Sequence, residues 1–87
     1  MEDIIISIEW SLSSLNLHVI QIEMNKVFTL KVDTVRNQKE MGLIIQNVKE
    51  RNFNKLIEHF KEKYSLLHCK ITISLGPTFR KKLKGEN

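Results

Sequence analysis

Residues 66–78, LHCKITISLGPTF, contain the feature that most constrains the fold. Apolar side chains recur at every second position from Leu67 to Leu75. Successive side chains of a strand point to opposite faces, so this pattern predicts a strand with one face in the core. Gly76-Pro77 predicts its end, because proline cannot donate to the ladder and glycine permits a corner. Cys69 lies on the predicted inner face, where its thiol would be buried and inert.

The segment 3–12, DIIISIEWSL, is compatible with two structures. Ile4, Ile8 and Trp10 fit an alternation of period two, and isoleucine is β-branched, which favours a strand. Ile4, Ile8 and Leu12 also share one face of a helix, which stays the alternative. In a strand Trp10 is expected in the core. In a helix it leaves the apolar stripe and becomes a candidate anchor for a dimer interface.

Residues 15–35 predict a hairpin that turns near Asn25. One register collects the apolar residues on a single face. It pairs Ile22 with Phe28, Ile20 with Leu30, and His18 with Val32. A two-residue turn would mix the faces, so we expect a loop of three or five residues with Asn25 near the left-handed conformation.

Two helical segments follow the hairpin. Asn37 and Glu40 have the spacing of a capping box at a helix start. Two runs of apolar residues then recur at helical spacing. They are Met41, Ile44, Ile45 and Val48, and then Phe53, Leu56, Ile57, Phe60 and Tyr64. The two runs are out of phase, so we predict two helices, or one kinked helix, with a break within 51–54.

These elements predict one α+β domain over residues 1–79, a size typical of single domains. We expect a small antiparallel sheet made of the hairpin, the last strand and, where 3–12 is a strand, a first strand. The two helical segments should cover one face of it. Residues 80–87 are expected to form a flexible basic tail.

The composition of the 87-residue chain indicates what class of protein it is and where it is located. It is 41% hydrophobic and 28% charged, as in ordinary globular proteins. No apolar run reaches the roughly 20 residues that cross a bilayer, so no membrane association is expected. Its single cysteine excludes an internal disulfide and indicates a reducing, cytoplasmic location.

The sequence contains no recognisable catalytic or metal-binding pattern. His68 and Cys69 are adjacent on a predicted strand and should face opposite sides, so they cannot easily share a metal ion. Glu58 and Glu62 lie among lysines and resemble helix-surface ion pairs rather than paired catalytic acids. We therefore expect no enzymatic activity, no bound metal and no cofactor.

Positive charge is the main polar signal. Residues 1–35 hold five acids and two bases, whereas residues 36–64 hold seven bases and four acids. The sequence FRKKLK at 79–84 adds an aromatic beside a basic cluster. Phosphates and acidic surfaces attract such clusters. The candidate contacts to nucleic acid or to an acidic partner are Arg51, Lys55, Arg80, Lys81, Lys82 and Lys84.

The segment KITISLGPTF resembles the vTvSiG strand of GGDEF-type, nucleotide-cyclase-like domains, and EMNKVFTLKV resembles their signature hairpin, with Phe28 at the phenylalanine of the motif. A similar strand occurs in degenerate relatives within AraC-type and response-regulator proteins. The resemblance covers about residues 15–79 and implies a helix over 3–14. Met24, Asn25, Lys26 and Val27 replace the glycines and carboxylates of the signature. The resemblance therefore implies a non-catalytic relative without a Mg²⁺ site.

Together these observations predict a non-enzymatic regulatory, sensing or protein-interaction module that binds a protein partner or a second copy of itself. The alternative is a small nucleic-acid-binding protein that uses its basic helical face and tail.

Overall fold

The computed structural model describes residues 2–85. Seven elements follow one another along the chain. They are β1 (Glu2–Ser11), β2 (Ser14–Glu23), β3 (Lys26–Val35), α1 (Gln38–Lys49), α2 (Phe53–Lys63), β4 (Cys69–Leu75) and α3 (Pro77–Leu83). The four strands form one sheet in the order β3-β2-β1-β4.

The α+β class and the packing of helices against the sheet are confirmed, but the sheet is mixed rather than antiparallel. β1 pairs with β2 and β2 with β3 in antiparallel fashion, whereas β4 runs parallel to β1. Parallel pairing needs a crossover connection. Helices α1 and α2 supply it, because they return the chain from one edge of the sheet to the other.

The first segment is a strand, so the favoured interpretation is confirmed and the helix implied by the GGDEF resemblance is wrong. Ile4, Ile6 and Ile8 point to the helices and are at most 1% exposed. All three pair with apolar residues of β4, and Ile6 and Ile8 also pair with apolar residues of β2, which explains why the alternation dominates over helical spacing.

One contiguous core lies between the sheet and the helices. Its buried residues come from all seven elements. They are Ile4, Ile6, Ile8, Leu15, Leu17, Val19, Val35, Met41, Ile44, Val48, Leu56, Phe60, Ile71 and Phe79. Burying an aliphatic or aromatic side chain stabilises a fold by about 1.5–3 kcal/mol, so this cluster is the main source of stability.

The hairpin has a shorter turn than expected. Met24 and Asn25 form a two-residue turn with φ values of 51° and 63°, the backbone that tight hairpins require. The left-handed Asn25 and the pairing of His18 with Val32 are confirmed. The other two predicted pairs are wrong. Ile22 pairs with Val27, and Ile20 with Thr29.

A β-bulge reconciles the short turn with the apolar pattern. The register shifts between Val19 and Ile20, so Leu30 is an extra residue on β3. A bulge reverses which face the following residues occupy. The bulge therefore shifts the pairing register by one residue, which is the change that the expected longer loop would have made.

The two central helices are separate, and the break between them lies at residues 50–52, slightly before the predicted 51–54. The Asn37 side chain accepts a hydrogen bond from the Glu40 N–H at 2.9 Å and caps α1. The chain leaves the helix after Lys49, where Arg51 adopts a left-handed φ of 56°, and α2 starts at Phe53. The break lies where the two apolar stripes change phase.

The expected basic tail is wrong for residues 80–83, which belong to α3. Gly76 is the N-cap and Pro77 occupies the first turn, a favourable place for proline. Phe79 is fully buried and holds the helix on the sheet. Residues 86–87 of the predicted tail lie outside the described part of the chain.

Cys69 and Leu67 are more exposed than was predicted for the inner face of the last strand. β4 begins only at Cys69, and Leu67 lies in the preceding turn with 66% of its surface exposed. Cys69 is partly exposed rather than buried, and its Sγ lies 3.9 Å from a carboxylate oxygen of Glu2. Cys69 still packs against the margin of the core, whereas Leu67 does not.

Candidate functional site

β3 forms one of the two edges of the sheet and pairs with β2 on one side only, while β4 forms the other edge. Residues 26–32 of this strand are all exposed. Four of them are apolar, with exposed fractions of 67% for Val27, 45% for Phe28, 48% for Leu30 and 61% for Val32. An exposed apolar edge strand offers unpaired backbone groups to another strand.

The edge is exposed because the β2–β3 hairpin extends beyond the helices. Leu15, Leu17 and Val19 of β2 are buried, but the strand becomes exposed from Ile22 onwards. The molecule is elongated, with extents of 38 × 22 × 21 Å. Residues 22–29 of the hairpin are therefore all exposed, whereas Leu30 and Lys31 lie beside the C-terminal end of α2.

A polar network fastens the inner half of β3 to the helices. The Tyr64 hydroxyl donates to Asp33 at 2.7 Å. Lys63 lies 3.4 Å from Asp33 and 2.7 Å from Glu40, and His59 lies 2.7 Å from the same Glu40 oxygen. These five side chains join β3, α1 and α2 at one point.

The network favours charged carboxylates and a neutral phenol. Burial raises the pKa of Asp33, but hydrogen bonds from Tyr64 and Lys63 and the charge of Lys63 outweigh it and lower the pKa. Burial likewise raises the pKa of Glu40, and contacts with Lys63 and His59 reverse the effect. Burial, and then the bond to Asp33, raises the pKa of Tyr64. None of these three shifts moves a group towards neutral pH, so we assign the network a structural role.

A basic pocket of about 450 Å³ lies between the α1–α2 turn and α3. Its floor is apolar and its rim is cationic. The floor residues are Val48, Phe53, Leu75 and Leu83, and the rim residues are Lys49, Arg51, Arg80 and Lys84. Arg80 is anchored, because its Nε donates to the Leu75 carbonyl at 3.0 Å.

The pocket brings together half of the six predicted cationic contacts. Arg51, Arg80 and Lys84 line it, whereas Lys55 and Lys81 are exposed and do not. Lys49 is one of the seven bases of residues 36–64 but was not among the six candidate contacts. Its position in the last turn of α1, directly before the break, was the available signal.

Trp10 and Lys82 make contacts within the protein that attach α3 to the sheet. The Trp10 ring meets Phe79 edge-on, with centroids 5.4 Å apart. The Lys82 ammonium lies 4.8 Å from the indole and 3.3 Å from the Leu12 carbonyl oxygen. These contacts dock α3 on β1, and Trp10 packs against the core as the strand interpretation predicted, but it is only partly buried.

Comparison with known proteins finds no matching family model, no similar curated protein and no similar solved structure. The resemblance to GGDEF-type domains therefore stays a prediction. Within residues 2–85, no three side chains of histidine, cysteine, aspartate or glutamate are grouped so as to hold a metal ion. No helix in that range is long and apolar enough to cross a membrane.

Proposed function

We propose that this protein is a non-enzymatic interaction module, and that it dimerises by joining the β3 edges of two copies into one continuous sheet. The observation that carries the proposal is the exposed apolar stretch of β3, residues 26–32, on a free edge. Joining two edges pairs the free backbone groups and covers apolar surface, both of which favour association.

The residues of β3 are complementary to themselves in one two-fold register. An antiparallel pair centred between Thr29 and Leu30 places Val27 opposite Val32 of the partner subunit. It also places Lys26 opposite Asp33 of the partner subunit. Opposite residues must share a face, and the pairing of β3 with β2 defines those faces.

Because of the β-bulge at Leu30, the residues that this register places opposite each other lie on the same face of the sheet. Lys26 and Asp33 pair with β2 residues on the helix-packed face, whereas Val27 and Val32 pair with residues on the open face. In a regular strand these odd-numbered separations would bring opposite faces together. The extra residue at Leu30 restores the match. Sliding the register by two residues in one direction would oppose Lys26 with Lys31 of the partner subunit, a like-charge pair.

Sedimentation of matched charge variants tests the dimer. The variant Val27→Glu/Val32→Glu places four glutamates at the centre of the proposed interface. The control Leu43→Glu/Leu67→Glu adds the same charges at apolar sites with 41% and 66% exposure away from β3. At roughly 100 µM chain, the wild type and the control should be dimers and the β3 variant a monomer. A monomeric wild type contradicts the proposal.

Disulfide trapping tests the register. In a Cys69→Ser background, Val27→Cys combined with Val32→Cys should give a covalent dimer on oxidation, because opposite Cα atoms are about 4.5–5.5 Å apart. Val27→Cys alone should stay uncross-linked, since its two copies lie five residues apart along the strands. A sedimenting dimer without cross-linking would show that another surface associates.

The regulatory role and the cytoplasmic location remain part of this proposal. The regulatory role rests on the resemblance to GGDEF-type domains, and the cytoplasmic location rests on the single cysteine of the chain. An interaction module should keep its dimer in moderate salt, because apolar burial is little affected by screening.

A further inference from the structure

The basic pocket has a cationic rim and an apolar floor, and one ligand with an anionic part and an apolar part can contact both. Four cationic side chains surround it, and no carboxylate lines it. Among residues 2–85 none of these four forms an ion pair within 4.0 Å. Unpaired cations around a concave site concentrate a positive field there and attract anions.

The helix dipole explains the positions of only two of the four cations. Lys49 and Lys84 lie at the C-terminal ends of α1 and α3, where cations offset the helix dipole. Arg51 follows the end of α1, and Arg80 comes from the middle of a different helix, yet both face the same cavity. The bond from Arg80 to the Leu75 carbonyl fixes its guanidinium at the rim before any ligand arrives.

The lining selects the chemistry of the ligand. Guanidinium groups bind phosphate oxygens in pairs, and several cations match a group with more than one negative charge. The apolar floor, with the ring of Phe53, suits a planar apolar moiety. A volume of about 450 Å³ lies within the range of small-molecule sites.

We propose that this pocket binds a nucleotide, with its phosphates at the cationic rim and its base on the apolar floor. The nucleotide is either free or part of a single-stranded nucleic acid, and the proposal is independent of dimerisation through β3. Phosphate contact at the rim contributes most of the affinity, and base contact at the floor makes the ligand more than a simple anion.

Calorimetric titration with ADP, adenosine, pyrophosphate and a twelve-residue oligothymidylate tests the proposal. ADP should bind more tightly than pyrophosphate or adenosine, because only ADP uses both surfaces. Oligothymidylate binding tighter than ADP identifies nucleic acid as the source, and the reverse order identifies free nucleotide. Absence of binding by both ADP and the oligonucleotide at millimolar concentration overturns the proposal.

Two matched double variants locate the site. Arg51→Asn/Lys84→Gln removes two charges from the rim, and asparagine tolerates the left-handed φ of 56° at position 51. Lys55→Gln/Lys81→Gln removes two charges from exposed sites outside the pocket. The rim variant should bind ADP about tenfold more weakly and the control less than twofold. Equal losses in both variants would show that only the overall charge attracts the ligand, and the pocket assignment would be wrong.

Discussion

β1 and β3 are both ten residues long and rich in β-branched residues, but they lie in opposite environments. β1 has a strand on each side and helices over one face, and its inward isoleucines are at most 1% exposed. β3 has one neighbouring strand, and its residues 26–32 are exposed. Apolar side chains therefore stabilise the monomer in one strand and are available for association in the other. What lies next to a strand decides which role its residues take.

A pair of phenylalanine variants gives the largest contrast between the helix-backed region and the free hairpin. Phe60 is fully buried and stacks with Tyr64, whereas Phe28 is 45% exposed. Phe60→Ala should lower the free energy of unfolding by about 3–5 kcal/mol. Phe28→Ala should lower it by less than about 1 kcal/mol. Urea unfolding at low protein concentration, where the chain is monomeric, measures both. Similar losses of unfolding free energy in the two variants would show that the hairpin is packed as closely as the helix-backed region.

The attachment of α3 should have an intermediate effect. The Glu9 carboxylate accepts hydrogen bonds from the Phe79 and Trp10 N–H groups at 2.8 and 3.1 Å. Gly76 lies so close that a Cβ there would clash with this carboxylate. Glu9→Ala and Gly76→Ala should each cost about 1–2 kcal/mol. In the Glu9→Ala background, Gly76→Ala should cost much less, and a full additive cost in the double variant would disprove the coupling.

Acid should weaken the connection between β3 and the helices. Asp33 and Glu40 have pKa values lowered from 3.8 and 4.5, so the stability they contribute is present above these values. It is lost as the pH falls through their lower folded pKa values. Asp33→Asn combined with Glu40→Gln should remove about 1 kcal/mol at pH 7 and flatten the fall in stability between pH 5 and pH 2. Thermal unfolding at several pH values checks this, and an unchanged pH profile would exclude the network as its source.

The turn of the free hairpin should give the smallest effect. Met24 and Asn25 both have positive φ, and the sequence Asn-Gly suits such a turn better. Met24→Asn combined with Asn25→Gly should stabilise the monomer by about 0.5–1 kcal/mol. The same measurement of urea unfolding detects the gain. A loss of stability would indicate that the exposed Met24 side chain makes a stabilising contact.

Sequence patterns were sufficient where one face of an element is buried. The alternation of Ile4, Ile6 and Ile8 identified β1, and the phase change after Val48 located the break between the helices. Both signals arise from the core, which imposes a strict period on the residues that face it.

The sequence was less informative where structure depends on a distant partner. The bulge at Leu30 appears only when β3 is laid against β2, so the turn length was wrong. The start of α3 was signalled by Gly76 followed by Pro77, but the lysines beyond it suggested a tail. The basic pocket joins residues from two separate segments, and counting charges along the chain cannot bring them together.

The parallel pairing of β1 with β4 has a consequence for biosynthesis. β1 is an interior strand, and its last neighbour to be synthesised begins only at Cys69, opposite Glu2. During translation both β1 and β3 therefore offer open edges, and the edge of β1 closes only after residues 69–75 have been made. Nascent chains that stall before residue 69 should be good substrates for chaperones that bind exposed strands.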